Sequence, residues 1–295
     1  MTTRAAHADI RRATGRTPRR RWSRALGLTA NSALAWFVGV VFAFPLIWTF
    51  FTALKPSSEV FGQSIQFIGS EVLWSNFATA WAEVRFGRLL LNSLVVAVVS
   101  TVLTVLIATI TGYAFSRLRF RGRNSLFVLF VITLTLPTEV AVIPLFLGFD
   151  AVGLTDTWTA LILPGLFGAF GAFLLRQFML QIPFELEEAA RIDGASRWRI
   201  LTGIIIPLVR PAMSVLAIFA FLGSWNGFLW PLIILNSAEK WTIPIGIAGF
   251  STMTGTRWEL LMAACVLTII PVVILVVVAQ RQLVAAIGAG AFGGR

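Results

Sequence analysis

The chain has 295 residues, of which 57% are hydrophobic and only 13% charged, and its mean hydropathy is +0.85. Those values exclude an ordinary soluble domain and make a bilayer the natural solvent. A net charge of +11 would suit a nucleic-acid binder in a soluble protein. Here the basic residues sit in a few short stretches between apolar runs, so they read as topology markers, and no nucleic-acid partner is expected.

Residues 1–27 carry eight arginines against one acid, Asp9, and read as a disordered cytoplasmic tail. The apolar run Asn31 to Leu54 is longer than the core of a cleaved signal and is taken as a retained first span. A cleaved signal, or a twin-arginine export signal around Arg19 to Arg21, is the alternative. Further apolar runs lie at Leu89 to Ser116, Leu126 to Leu147, Trp158 to Leu180, Leu208 to Leu235 and Leu260 to Val278. Each is close to the roughly 20 residues that cross a hydrocarbon core. The expected fold class is all-α, a polytopic membrane protein with six transmembrane helices over residues 28–285, followed by a short cytoplasmic tail at 286–295.

Lys and Arg alternate between rich and poor connections along this arrangement. Nineteen fall in the first tail, after the second and fourth runs and at the end of the chain, against five in the opposite loops. Both termini are therefore expected in the cytoplasm. Prolines at 45, 137, 144, 164 and 271 interrupt the runs. Each removes a backbone donor, leaving two readings open, irregular packing or helices bent around a transport path.

Catalytic chemistry is hard to assemble from this sequence. The only histidine, His7, lies in the basic tail, and the only cysteine, Cys265, lies in an apolar run, so no Ser-His pair, Cys-His pair, disulfide or cysteine-rich metal site is expected. Neither lysine, Lys55 or Lys240, follows a glycine-rich phosphate loop. No cofactor or metal is expected on this chain, and any ATP used would be hydrolysed elsewhere.

The most polar connection, Gln181 to Leu208, reads QIPFELEEAARIDGASRWRILTGIIIPL. Pro183 suits a helix start, and Glu185, Glu187 and Glu188 suit the positive end of the helix dipole. Arg191 follows Glu187 and Glu188 at pairing distance along a helix, and Gly194 suits a left-handed helix stop. Ala189 and Ala190 leave a smooth face beside the apolar Phe184, Leu186 and Ile192. On pattern alone the helix either lies on the membrane surface or docks into a partner's cleft.

Glu188-Ala189-Ala190, then Gly194, Ile204 and Pro207, resemble the EAA motif of binding-protein-dependent ABC importer permeases, with Ile206 in place of the usual leucine. The resemblance covers nearly all the chain after the tail and is closest to the carbohydrate, maltose-type branch. Phe51 to Lys55, Gly112 to Arg117, Ile143 to Phe146, Trp225 to Pro231 and Gln280-Arg281 carry it. It implies a type I ABC importer permease fold and a cytoplasmic coupling helix within 181–207, with Glu188, Ala189, Ala190, Asp193, Gly194, Ile204 and Pro207 as coupling residues. It also implies a second permease, two ATPase subunits holding ATP and Mg, an extracytoplasmic substrate-binding protein, and a bacterial-type plasma membrane. The chain departs from the family at Gly227, where an acid is common, and in the tail from Ile287 to Arg295.

Ser224, Trp225, Asn226 and Trp230 place aromatic faces and hydrogen-bonding groups within about two helical turns, the chemistry that holds sugars. Trp48, Trp158, Trp230, Trp241 and Trp258 equally suit an interfacial aromatic belt. Glu139, two residues after Pro137, is expected near the external mouth, either touching cargo or bonding backbone groups freed by the proline. The rival function is an ion-coupled secondary transporter, which would place ionisable residues at mid-membrane and leave the EAA loop unexplained. Within the importer reading, a polyol, a sugar phosphate or another small solute competes with a carbohydrate.

Overall fold

The computed structural model describes residues 19–62, 66–252 and 255–292, with side chains described from residue 32 to 280. In chain order the helices are α1 (Arg19–Ala53), α2 (Ser75–Glu83), α3 (Phe86–Arg117), α4 (Arg123–Ile132), α5 (Thr138–Ala151), α6 (Trp158–Leu166) and α7 (Ala169–Leu180). Then follow α8 (Glu185–Ile192), α9 (Arg197–Ile200), α10 (Ile206–Trp225), α11 (Leu229–Ile234), α12 (Ile243–Ala248) and α13 (Trp258–Phe292). Between α12 and α13 a two-stranded antiparallel hairpin pairs Ser251 with Thr256 and Thr252 with Gly255.

Among the described residues, five continuous segments are long and apolar enough to cross a membrane: Ser32–Ala53, Phe86–Arg117, Trp158–Leu180, Arg197–Trp225 and Trp258–Gln280. The sixth candidate is the pair α4 and α5, bent by 103° at the break between them. The sequence predicts a single span there, interrupted by Pro137 and Pro144. Pro137 breaks the helix, because its ring biases the preceding residue away from helical backbone. Leu136 accordingly takes φ −81° and ψ 122°, Pro137 takes ψ 132°, and a new helix starts at Thr138.

The fifth span also differs from expectation. It begins at Arg197, before the predicted Leu208, and ends at Trp225, with α11 a separate short helix. Continuity past the prolines is kept by a π-helical turn over Leu201–Ile205, in which the Ile206 amide donates to the Leu201 carbonyl. Pro207 lies just inside α10, where its missing amide costs little, and the widened turn lies directly before it. At the ends of the chain the helices run further than the predicted tails. Helix α1 takes in residues from Arg19, so disorder does not extend over 19–27, while 1–18 and 293–295 lie outside the described residues.

Helix α3 is the central element, packing on α7 and α10 and, less extensively, on α6, α12 and α2. Close approach to α7 depends on small residues, as expected where lipid gives no hydrophobic drive for helix association. A methyl at Gly112 would lie 3.2 Å from the Arg176 amide, and one at Gly171 would lie 2.9 Å from the Ala108 Cβ. Two larger apolar clusters lie toward opposite ends of α3. One gathers Phe86, Leu89, Phe221, Trp225, Ile243 and Leu260; the other gathers Ala108, Tyr113, Leu175, Met179, Ile200 and Val209.

At the α3 N-terminal end, polar side chains tie the loop after α11 to the bundle. Asn92 Nδ2 donates to the Glu239 and Trp241 carbonyls at 2.8 and 2.9 Å, and Ser93 Oγ accepts from the Ile243 amide at 2.7 Å. The Asp156 carboxylate accepts from the Asn236 and Ser237 amides, both at 3.0 Å, and pairs with Lys240 Nζ at 2.7 Å. Lys240, and then the Ser237 hydroxyl and amide, hold the Asp156 carboxyl far below the ordinary carboxylate range. Because the folded-state pKa is depressed, this contribution is present above the unfolded value near ~3.9 and is lost as pH falls through the folded value. Asp156→Asn is expected to lower the thermal unfolding midpoint in detergent at neutral pH. It should also flatten the fall of that midpoint between about pH 5 and pH 3. An unchanged pH slope would show that Asp156 does not carry it.

Candidate functional site

The EAA segment is built on the polar end of the bundle. Helix α7 stops at Leu180, Pro183 and Phe184 turn the chain, and α8 carries Glu185, Glu187 and Glu188 in its first turn and Arg191 in its last. Gly194 ends it with φ +79°, its amide donating to the Arg191 carbonyl at 3.0 Å, and Ala195 closes back on the Ala190 carbonyl at 2.9 Å. A Cβ at Gly194 would have no atom within 4 Å, so the glycine answers to backbone conformation rather than to space. Ser196 then caps the next helix, its hydroxyl accepting from the Arg199 amide at 3.3 Å.

What fixes α8 to the membrane helices is a residue that the motif does not name. Glu187 is fully buried, and its Oε1 lies 2.8 Å from Nε of Arg117, the last residue of α3, which is itself 5% exposed. Arg117 also donates through Nη2 to the Met179 and Ile182 carbonyls, the latter at 2.7 Å, where α7 ends. Arg191 reaches the other Glu187 oxygen at 3.6 Å, and both guanidinium groups lie over the Phe184 ring, at 5.6 Å for Arg117 and 5.3 Å for Arg191. The sequence reading counted Arg117 as a topology charge and Glu187 as a dipole partner. The missed signal is helical spacing, because Phe184, Glu187 and Ala190 recur on one face of α8 and that face must meet the bundle.

The opposite face of α8 is free. Glu188, Ala189, Ile192 and Asp193 are exposed and Ala190 is half-buried; Ile192 is 87% exposed and Trp198 beyond the turn is 64% exposed. Arg191 pairs with Glu187 alone among the acids, so Glu188 has no ion partner among the described residues. Ile204 lies half-buried in the π turn, and Pro207 is exposed at the start of α10. The structure thus brings the motif residues into one unit of helix, turn and helix, with outward faces on α8 and at Arg197, Trp198 and Arg199 of α9.

A second site is a cavity of about 620 Å³ between α3, α5, α6 and α10, with Glu139, Ser224 and Trp230 in its wall. Two expected path residues do not join it. Trp225 is 1% exposed and packs its ring on Phe221, with centroids 5.5 Å apart, because the α10 helix turns it into the core. Asn226 lies exposed at the C-terminal cap of α10, outside the cavity wall, because the helix ends there. Trp230 donates from Nε1 to the Ala160 carbonyl at 3.1 Å, so its indole nitrogen is already occupied. Glu139 is exposed in the first turn of α5, a helix without buried residues, and lines the cavity together with Ser100 and Thr104 of α3 and Thr242 of the loop after α11. Gly227 lines the same wall without a side chain.

Residues 104–288 match the family described as binding-protein-dependent transport system inner membrane component, and the chain belongs to that family. It is a multi-pass inner-membrane permease by that membership and by its apolar helices. Among relatives, the arabinooligosaccharides transport system permease protein AraQ of Halalkalibacterium halodurans is 36% identical over 88% of this chain and 94% of its own length. The sn-glycerol-3-phosphate transport system permease protein UgpE of Yersinia pestis is also 36% identical, over 88% of this chain and 95% of its own length. The diacetylchitobiose uptake system permease protein NgcG of Streptomyces coelicolor is 32% identical over 89% and 88% of the two chains. A solved bacterial ABC transporter involved in import of the acidic polysaccharide alginate aligns with a TM-score of 0.75 and 25% identity, covering 89% of this chain and 98% of the other.

Removing one member of a buried ion pair leaves the other charge unpaired and costs about 3–5 kcal/mol, whereas replacing both by apolar groups is often neutral. Arg117→Met and Glu187→Leu are therefore each expected to lower the unfolding midpoint in detergent sharply, and the double variant to recover most of it. A double variant as unstable as the sum of the two would refute the pairing.

Proposed function

We propose that this chain is one of two permease subunits of an ATP-driven importer, forming with a second permease the path for a small carbohydrate that an extracytoplasmic binding protein delivers. The observation that carries the reading is α8, held to α3 through Glu187 and Arg117 with Glu188, Ala189 and Ile192 turned outward. A helix fixed on one face and free on the other transmits a push from a docked partner into the spans. The docked partner is an ATPase subunit, one of two, which bind ATP and Mg and do the hydrolysis, while this chain is not an enzyme and holds no cofactor. Asp193, Gly194, Ile204 and Pro207 shape and support that contact.

The distribution of basic residues supports an orientation with α8 and both termini in the cytoplasm. The loop after α11 then faces outward, where its bonds to Asn92, Ser93 and Asp156 would present a firm surface to the binding protein. Closure of the ATPase pair would bring the two coupling helices together and rock the spans from inward- to outward-facing, provided the two states differ in affinity for ATP or binding protein. Glu139, Ser224 and Trp230 line the cargo path. The relatives' names span arabinooligosaccharides, diacetylchitobiose and sn-glycerol-3-phosphate, so a sugar phosphate competes with an uncharged sugar as cargo.

Two measurements test the reading. With Cys265 replaced, cysteines at Glu71 and Ala238 should react with an impermeant thiol reagent from outside and one at Ser125 only from inside; the reverse pattern would overturn the orientation. Reconstituted with its second permease, ATPases and binding protein, the chain should support uptake only while ATP is hydrolysed. Uptake that persists without ATP and collapses with the proton gradient would favour the secondary transporter instead.

A further inference from the structure

The wall of the 620 Å³ cavity holds five hydroxyl side chains, from Ser100, Thr104, Thr138, Ser224 and Thr242, and one ionisable group, the Glu139 carboxylate. No Lys, Arg or His lines it among the described residues. Thr242 is 3% exposed, yet its Oγ1 has no hydrogen-bond partner, so a buried hydroxyl at this wall awaits one. Glu139 has no ion pair or hydrogen bond among the described residues. Glu139 is exposed at the edge of this cavity, where a carboxylate without a counter-charge sets the sign of the field that an entering solute meets.

Glu139 also occupies a particular field. It lies in the first turn of α5, the end at which unpaired amides carry partial positive charge and would by themselves attract an anion. Its carboxylate answers that field and leaves the wall negative. We propose that Glu139 is a charge-selectivity residue, which makes this path accept uncharged, hydroxyl-rich solutes and reject anionic ones such as phosphate esters and uronates. The inference rests on the cavity being part of the cargo path. It narrows the cargo class within that reading, since hydroxyls that donate and accept suit neutral sugars, while no cation is present to receive a phosphate or carboxylate.

The test uses the assembled importer with Cys265→Ala and a reporter Ser224→Cys in the cavity wall. Modification rates are measured with two reagents of similar size, the cationic trimethylammonioethyl and the anionic sulfonatoethyl methanethiosulfonates, each normalised to a free thiol. The cation-to-anion rate ratio is expected to fall about five-fold or more on Glu139→Gln and to be restored by Glu139→Asp. A ratio unmoved by Glu139→Gln overturns the selectivity assignment while leaving the path reading intact. A reporter that reacts with neither reagent, nor with uncharged methyl methanethiosulfonate, overturns the path reading itself and the inference with it. ATP-driven uptake of sn-glycerol 3-phosphate by the unsubstituted importer overturns the inference on its own.

Discussion

The buried pair between Arg117 and Glu187 is the contact on which the functional end of this protein depends. Two charges taken out of water cost several kcal/mol each unless their remaining donors and acceptors are met. Here Arg117 forms an ion pair with Glu187 and donates to two backbone carbonyls at the end of α7, while Arg191 lies 3.6 Å from the second carboxylate oxygen. One guanidinium therefore joins the end of α3, the end of α7 and the start of α8. Because α3 also packs on α10, which follows directly from α9 and the π turn, a displacement of α8 reaches three spans at once. A helix merely adsorbed on the membrane surface would have no such route, and the buried carboxylate makes that alternative the weaker one.

The other end of the bundle is held by polar contacts of a different kind. Asn92, Ser93 and Asp156 bond mainly backbone groups of the loop between α11 and α12, so that loop keeps one shape without a large apolar core of its own. The cavity lies between these two ends, lined by α3, α5, α6 and α10. Under the proposed function, spans that pivot around the loop after α11 and around α8 can change the cavity's access without losing either attachment.

Much of the fold was legible because lipid is a strict solvent, and four of the six apolar runs emerged as spans near their predicted limits. In the third run the interruption at Pro137 was legible but the size of the bend was not, because hydropathy counts residues and is blind to direction: the backbone angles at Leu136 and Pro137 turn the chain by 103°. The EAA positions were readable from spacing, whereas Glu187 was hidden by its neighbour, since two adjacent acids look alike in sequence and only helix phase sends one inward. Trp225 and Asn226 stay out of the cavity wall for a related reason, because residues clustered in sequence around a helix end point in different directions, one into the core and one out of the cavity.

The central claim, that α8 moves as one body with α3, is open to a direct distance measurement. Spin labels at Ile192 on the exposed face of α8 and at Ile110 on the exposed side of α3 would be read by pulsed dipolar spectroscopy in the assembled importer. The account predicts the same distance distribution without nucleotide and in the ATP-trapped state, with a broad and shifted distribution when Glu187→Ala is introduced. A distance between the two labels that changes on ATP trapping in the unsubstituted Arg117–Glu187 background would contradict it.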